Sequence, residues 1–153
     1  MTASNVTTLV ALIGGESADC VCHVRSELDI ARTRLHIERG AQRAQVSDLA
    51  RASIGIAASE LAWNQWRYAQ GGVICAWFYP ANAERLKSLV VLKAADEGPG
   101  ISDHEWALSD QKSSRMSLGL GLPGVRRLMD SFSLVSPLPC QRYGTLVTVS
   151  KQG

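Results

Sequence analysis

The chain has 153 residues, with 16 lysines and arginines against 14 aspartates and glutamates, a formal charge of +2 and 46% apolar residues, which fits one globular domain and leaves no room for a second. Both signs of charge are interspersed, so nucleic acid is not expected as the partner, because phosphate backbones are held by clustered Lys and Arg. The apolar stretches around Thr8 to Ile13 and Gly72 to Tyr79 fall well short of the roughly 20 residues a membrane-spanning helix needs, and no basic segment precedes the first of them as a secretory signal would require.

Residues 1–19 mix Thr, Ser and Gly with a brief apolar patch and read as a tail or an added edge strand, ahead of a single domain over residues 20–153. From Cys20 to Arg25 apolar and polar residues alternate, which predicts a half-buried strand. Leu28, Ile30, Ala31, Leu35 and Ile37 then recur at helical spacing, giving a helix over Asp29 to Arg39 with Gly40 placed for a left-handed C-cap. Ser47 followed by Asp48 is a good N-cap for a long second helix that runs to Gln70 before Gly71-Gly72.

Val73 to Tyr79 and Lys87 to Ala95 are dense in β-formers and read as an antiparallel pair around the turn-like Ala81 to Arg85. Asp96-Glu97-Gly98-Pro99-Gly100 stops the second strand. Ser102 can cap a short helix through Leu108, a polar segment Ser109 to Ser117 follows, and Gly119 to Gly124 leads into a helix ending near Phe132. Strands around Ser133 to Ser136 and Thr145 to Ser150 close the pattern, which has no internal repeat. This order predicts a two-layer α/β (α+β) sandwich, a mixed, largely antiparallel sheet with helices on one face. It does not fit a doubly wound nucleotide fold, where strand and helix alternate throughout.

Cys20, Cys22, Cys75 and Cys140 are expected as free thiols in a reducing cytoplasm, and His23, His36 and His104 are scattered singly, so no soft-metal cluster is expected.

Three segments could carry chemistry. Glu60 and Asn64, four apart, project from one helix face; the carboxylate could accept a proton and the amide oxygen could ligate a hard cation such as Mg2+. Alone, E-x-x-x-N reads as a polar helix face. Asp96 opens a D-x-G-x-G loop at a strand end, where a fixed carboxylate can accept from an exocyclic amine, or simply make a turn. Gly119, Gly121 and Gly124 spell G-x-G-x-x-G before a helix, whose amides attract phosphate, yet no βαβ unit follows as a dinucleotide fold requires.

In combination these segments are more specific. Ser59-Glu60-Leu61-Ala62-Trp63-Asn64, Asp96 to Ile101 and Gly119-Leu120-Gly121-Leu122 resemble the three nucleotide-binding boxes of the GHKL (Bergerat-fold) ATPase and kinase superfamily. Ser117 to Phe132 and the Tyr68 to Gly72 helix end are similar to its anti-sigma serine kinase subgroup, in particular the switch kinases of bacterial stressosomes.

The resemblance implies ATP and Mg2+ as cofactors. It casts Asn64 as the Mg2+ ligand, Glu60 as the general base and Asp96 as the adenine-reading carboxylate. Gly98, Gly100 and Ile101 would lie under the base, with Gly119, Leu120, Gly121 and Leu122 at the hinge of the ATP lid and Thr145 assisting adenine recognition. The lid departs from the subgroup: Asp110 is followed by Gln111-Lys112-Ser113-Ser114-Arg115-Met116 with no glycine, so Lys112, Ser114 and Arg115 would reach the phosphates from a stiffer segment.

By the same resemblance, the function is protein serine/threonine kinase. The expected partners are STAS-domain antagonist proteins, which it would phosphorylate, and a metal-dependent serine phosphatase, which it would activate once released. The alternative is an anti-sigma factor that sequesters a sigma subunit.

Overall fold

The computed structural model describes residues 3–103, 121–138 and 144–153. Among these, the helices are α1 (Ala3–Leu12), α2 (Glu27–Arg43), α3 (Asp48–Ala69) and α4 (Gly121–Leu128). The strands are β1 (Cys20–Val24), β2 (Gly72–Tyr79), β3 (Leu89–Asp96), β4 (Ser131–Val135) and β5 (Thr145–Gln152). They form one sheet in the order β1-β2-β3-β5-β4, with every pairing antiparallel. The expected antiparallel pair is β2 with β3, in a register that sets Val73 against Ala95. None of the described helices is long and apolar enough to cross a membrane.

The main core lies between one face of the sheet and α2, α3 and α4. Ile37 and Ala41 of α2, Ile54 and Leu61 of α3 and Val125 of α4 pack on Ile74, Ala76, Val90, Leu92 and Val149. A second cluster occupies the opposite face, where Leu9 and Ile13 meet Val73, Cys75, Trp77 and Leu138. Burial on both faces is why β2 is apolar without alternation.

That second cluster corrects the reading of residues 1–19 as a tail or edge strand. Leu9 and Ile13, one helical turn apart, point the end of α1 into the sheet, and Lys93 Nζ ties it down by donating to the Ile13 carbonyl at 2.9 Å. The first half of the segment is rich in Thr, Ser and Asn, which masked the helical spacing.

Three helix boundaries also differ from expectation. α2 starts at Glu27 because Ser26 is its N-cap and the Asp29 carboxylate reaches back to the Ser26 amide at 2.9 Å. It continues past Gly40, which is no C-cap: a Cβ there would come within 2.3 Å of the Phe78 ring, so the missing side chain serves helix-on-sheet packing. α4 ends at Leu128 instead of near Phe132, because Phe132 pairs with Val149 in β4. Asp130 fixes that change of direction, its carboxylate accepting from Lys151 Nζ at 2.8 Å and from the Gln152 amide at 2.8 Å. Ser47 caps α3 as predicted, accepting from the Ala50 amide at 3.4 Å. At the other end of α3, Gln70 takes a left-handed conformation with φ 58°. The short helix expected from Ser102 to Leu108 falls largely outside the described residues.

Candidate functional site

The C-terminal half of α3 presents Leu61, Asn64, Gln65 and Tyr68 on one face, at spacings of three and four residues, and this face forms one wall of a cavity of about 230 Å³. Opposite it stand the end of β3 with the following loop, the start of α4 and the start of β5. These contribute Asp96, Gly100 and Ile101, then Gly121 and Leu122, then Thr145. Seven of the sequence-selected residues, Asn64, Asp96, Gly100, Ile101, Gly121, Leu122 and Thr145, therefore line a single space although they come from four separate chain segments.

Two others stand just behind it. Glu60 is 2% exposed and is not part of the lining; its carboxylate accepts from the Gly121 amide at 3.0 Å. The amide expected to attract phosphate at the start of α4 is thus already bonded to a carboxylate, a favourable pairing at a helix N-terminus. Gly98 packs against α3, where an added Cβ would fall 2.5 Å from the Ala69 Cβ. Its glycine is demanded by close approach to the helix, whereas Gly100 is demanded by its φ of +78°. Lys112, Ser114, Arg115, Gly119 and Leu120 lie outside the described residues.

Asp96 ends β3 opposite Thr145, and the Gly98 amide donates to its Oδ1 at 2.9 Å. Burial pushes its carboxyl up to about 6, against the Gly98 and Thr145 amides, which favour the charged form. Near pH 7 the group is largely a carboxylate, held at the cavity wall by backbone donors. Such an acceptor, next to the apolar Ala94 and Val147, suits a flat heteroaromatic ring carrying an N–H donor.

The loop after Asp96 is pinned by a residue that sequence reasoning missed. Ser136 accepts from the Ile101 amide at 2.7 Å, and its hydroxyl donates to the Gly144 carbonyl at 2.9 Å. Gln65 was also missed. It is buried, and its Nε2 donates to the carbonyls of Val73 and Ala95, each at 3.0 Å, stitching α3 to the pair β2–β3 just before Asp96. Helical spacing from Leu61 could have found Gln65, and period-two spacing could have found Ala94 from Asp96 and Val147 from Thr145. Ser136 left no such signal. Of the two tryptophans on α3, Trp66 is 36% exposed, while the indole N–H of Trp63 is buried without a partner among the described residues.

Comparison with known proteins bears on this arrangement. Residues 24–151 match a family described as the histidine kinase-like ATPase domain. The chain is 39% identical over 117 residues to the serine/threonine-protein kinase RsbT of Bacillus subtilis (strain 168), a match covering 76% of this chain and 85% of that protein. Among solved structures, the mycobacterial sensor histidine kinase MprB has a similar fold, with a TM-score of 0.51 and 18% identity over 82% of this chain and 93% of that one.

Proposed function

The chain belongs to the histidine kinase-like ATPase domain family, the GHKL group its motifs resemble, and on that premise we propose that it is an ATP-dependent protein serine/threonine kinase of a bacterial partner-switching pathway, acting in the cytoplasm. The observation that carries this reading is the single cavity that joins the Asp96 carboxylate, the Asn64 amide and the start of α4. The homology to RsbT supports transfer to serine or threonine.

In this reading adenine enters beside Asp96 and donates its amino group to the carboxylate, with Thr145 and the Gly100–Ile101 loop fixing the ring plane. Leu61, Tyr68 and Val147 exclude water from the ring. Asn64 stands farther along α3, toward the start of α4, where the phosphates would lie. Its neutral oxygen suits Mg2+, which commonly keeps one or two protein ligands and takes its other partners from phosphate and water; the metal would neutralise charge on the phosphates. Gly119, Leu120, Lys112, Ser114 and Arg115 are assigned to the hinge and lid that close over them. Glu60 is assigned to accept the proton of the incoming hydroxyl, which requires its carboxylate, buried behind the cavity and bonded to the Gly121 amide, to be reached from the phosphate end; positioning with electrostatic preorganisation supplies most of the acceleration. The acceptor hydroxyl belongs to a STAS-domain protein, and its phosphorylation frees the kinase to engage a metal-dependent serine phosphatase.

The test is incubation of the purified chain with Mg-ATP and a STAS-domain protein encoded beside it, followed by site mapping. Phosphate on a serine or threonine of the STAS protein is the expected result. Hydrolysis without transfer would overturn the substrate assignment, and failure to bind ATP at millimolar concentration would overturn the site. Co-purification with a sigma subunit in place of the STAS protein would favour the anti-sigma alternative.

A further inference from the structure

β1 lies at the edge of the sheet, paired among the described residues with β2 alone, and its first and third residues are cysteines. Residues two apart in a strand share a face, and here the sulfurs of Cys20 and Cys22 lie 3.5 Å apart. Both are free thiols, but their surroundings differ. Cys20 is half-buried and opens onto a shallow surface pocket with His36, Arg43 and Phe78. Cys22 is 6% exposed and belongs to the main core. Thiol oxidation that stops at a disulfide is served by this arrangement, with one sulfur accessible to the oxidant and a second within reach of the first.

The electrostatics agree with that division. The bond from Cys22, and then the Arg43 guanidinium, lower the Cys20 thiol to about 7, against burial and the Asp19 carboxylate. The Cys22 thiol is pushed well up by its bond to Cys20 and by burial. Near neutral pH a large share of Cys20 is therefore the nucleophilic thiolate, while Cys22 keeps its proton. No group of three or more His, Cys, Asp or Glu among the described residues is placed to hold a metal, which separates this pair from a zinc site.

We propose that Cys20 and Cys22 form a hydroperoxide-reactive site that closes reversibly into an intrastrand disulfide. The Cys20 thiolate attacks the terminal peroxide oxygen; the O–O bond breaks, the alcohol (or water, from hydrogen peroxide) leaves, and Cys20 becomes the sulfenic acid. The Cys22 sulfur then attacks the Cys20 sulfur. The S–O bond breaks and hydroxide departs with the Cys22 proton as water, so that two thiols and one hydroperoxide give one disulfide, one alcohol and one water. Two strand residues on one face are separated by roughly 6.5 to 7 Å between Cα atoms, at the upper limit for a disulfide, and a bond held under strain is easily reduced again. The outer edge of β1, which no described strand pairs, leaves room for the pucker the bond requires.

The test uses the full, pre-reduced chain, treated with a small excess of hydrogen peroxide, quenched and digested with trypsin. The peptide ending at Arg25 contains both cysteines. It is expected to lose two hydrogens, about 2 Da, and to regain them with dithiothreitol. Cys22→Ala removes the bond that lowers Cys20 as well as the resolving sulfur, so Cys20 should react more slowly there but stop at a sulfenic acid trapped by dimedone, and Cys20→Ser should slow the reaction of this peptide by about tenfold or more. Cys20→Ser lies at a half-buried position and keeps the test readable should Cys22→Ala fail to fold. The proposal is overturned if Cys20 reacts no faster than Cys75, if wild type accumulates sulfinic acid at Cys20 without the disulfide, or if Cys20 pairs with Cys75 or Cys140.

Discussion

The Glu60 carboxylate and the Gly121 amide are bonded at 3.0 Å across 61 positions of sequence, so the middle of α3 holds the first residue of α4. The same carboxylate is the one assigned to accept the substrate proton. A structural and a chemical role therefore rest on a single side chain, and substitutions can part them.

Glu60→Gln keeps an oxygen that can accept from Gly121 but cannot take up a proton. Its thermal midpoint should stay within a few degrees of wild type, while phosphotransfer falls by about 100-fold or more. Glu60→Ala removes the acceptor and leaves a buried N–H without a partner, costing about 1 to 3 kcal/mol as well as activity. Denaturant titration beside single-turnover transfer separates the two, and equal activity in wild type and Glu60→Gln would remove Glu60 from the chemistry.

Asp96 couples binding and stability to pH with a definite sign. Its carboxyl is raised from 3.8 to about 6 by burial, so between those values the folded chain holds a proton that the unfolded chain has lost. The contribution of this group to stability is full below pH 4 and is lost as pH rises through about 6, by roughly 3 kcal/mol at most. Nucleotide binding runs the other way because it needs the carboxylate, and affinity should drop about tenfold from pH 7 to pH 5. Asp96→Asn should weaken ATP binding by about 10- to 100-fold yet unfold at pH 8 no more easily than wild type. Calorimetry and thermal melts at pH 5 and pH 8 check both halves.

The elements that sequence made legible are those whose causes are local. Ser47 caps α3 through its own first turn, β2 and β3 announce themselves by composition, and the Asp96 loop reads as a break after a buried strand. What stayed hidden depends on partners far along the chain. Gly40 looks like a helix stop until Phe78 is seen against it, and the role of Ser136 follows from Ile101, 35 residues away. α1 was missed because its polar first half hides the helical spacing, and Leu9 and Ile13, which tie it to a core, come at and just after its last turn. In the site, residue types with distinctive chemistry were legible as a set, whereas the apolar wall and the residues that brace it required the register of the sheet.

Removing α1 tests that second cluster. Without residues 1–14 the sheet face bearing Val73, Cys75 and Trp77 loses Leu9 and Ile13, and Lys93 loses its acceptor at Ile13. Leu9→Ala alone should cost about 2 to 4 kcal/mol, since Leu9 is fully buried. The deletion should bind ANS and aggregate on warming, and unchanged melting of either variant would mean that α1 does not pack there in solution.

Gly98 and Gly144 hold the loop below the cavity for different reasons, and alanine should reveal which matters more. At Gly98 the new methyl would lie 2.5 Å from the Ala69 Cβ and 2.8 Å from its Cα, so the loop must move away from α3; nucleotide affinity should fall several-fold with a loss of about 1 to 3 kcal/mol of stability. At Gly144 the backbone has φ +93° and the new methyl would lie 2.6 Å from the Asp96 carbonyl, so torsional strain adds to a clash with backbone. Gly144→Ala should cost about 2 kcal/mol or more and abolish binding. Urea denaturation with ATP titration distinguishes the two.

Gln65 gives the sharpest case of a bracing residue with a separable effect. Its Nε2 satisfies the carbonyls of Val73 and Ala95 at 3.0 Å each, and Ala95 immediately precedes Asp96. Its Oε1 is buried with no partner among the described residues. Gln65→Leu fills similar space but withdraws both donated bonds, so two carbonyls lose a partner; the expected cost is about 2 to 3 kcal/mol. Gln65→Glu is worse, because an ionised carboxylate would face two carbonyl oxygens, and its stability should recover as pH falls and the group takes up a proton that can again be donated. Measured against wild type at each pH, which removes the contribution of Asp96, that recovery is absent for Gln65→Leu. A role limited to filling space would make Gln65→Leu nearly neutral. Loss of stability in both variants, with recovery at low pH in Gln65→Glu alone, would show that hydrogen bonding to the β2–β3 carbonyls is what Gln65 supplies.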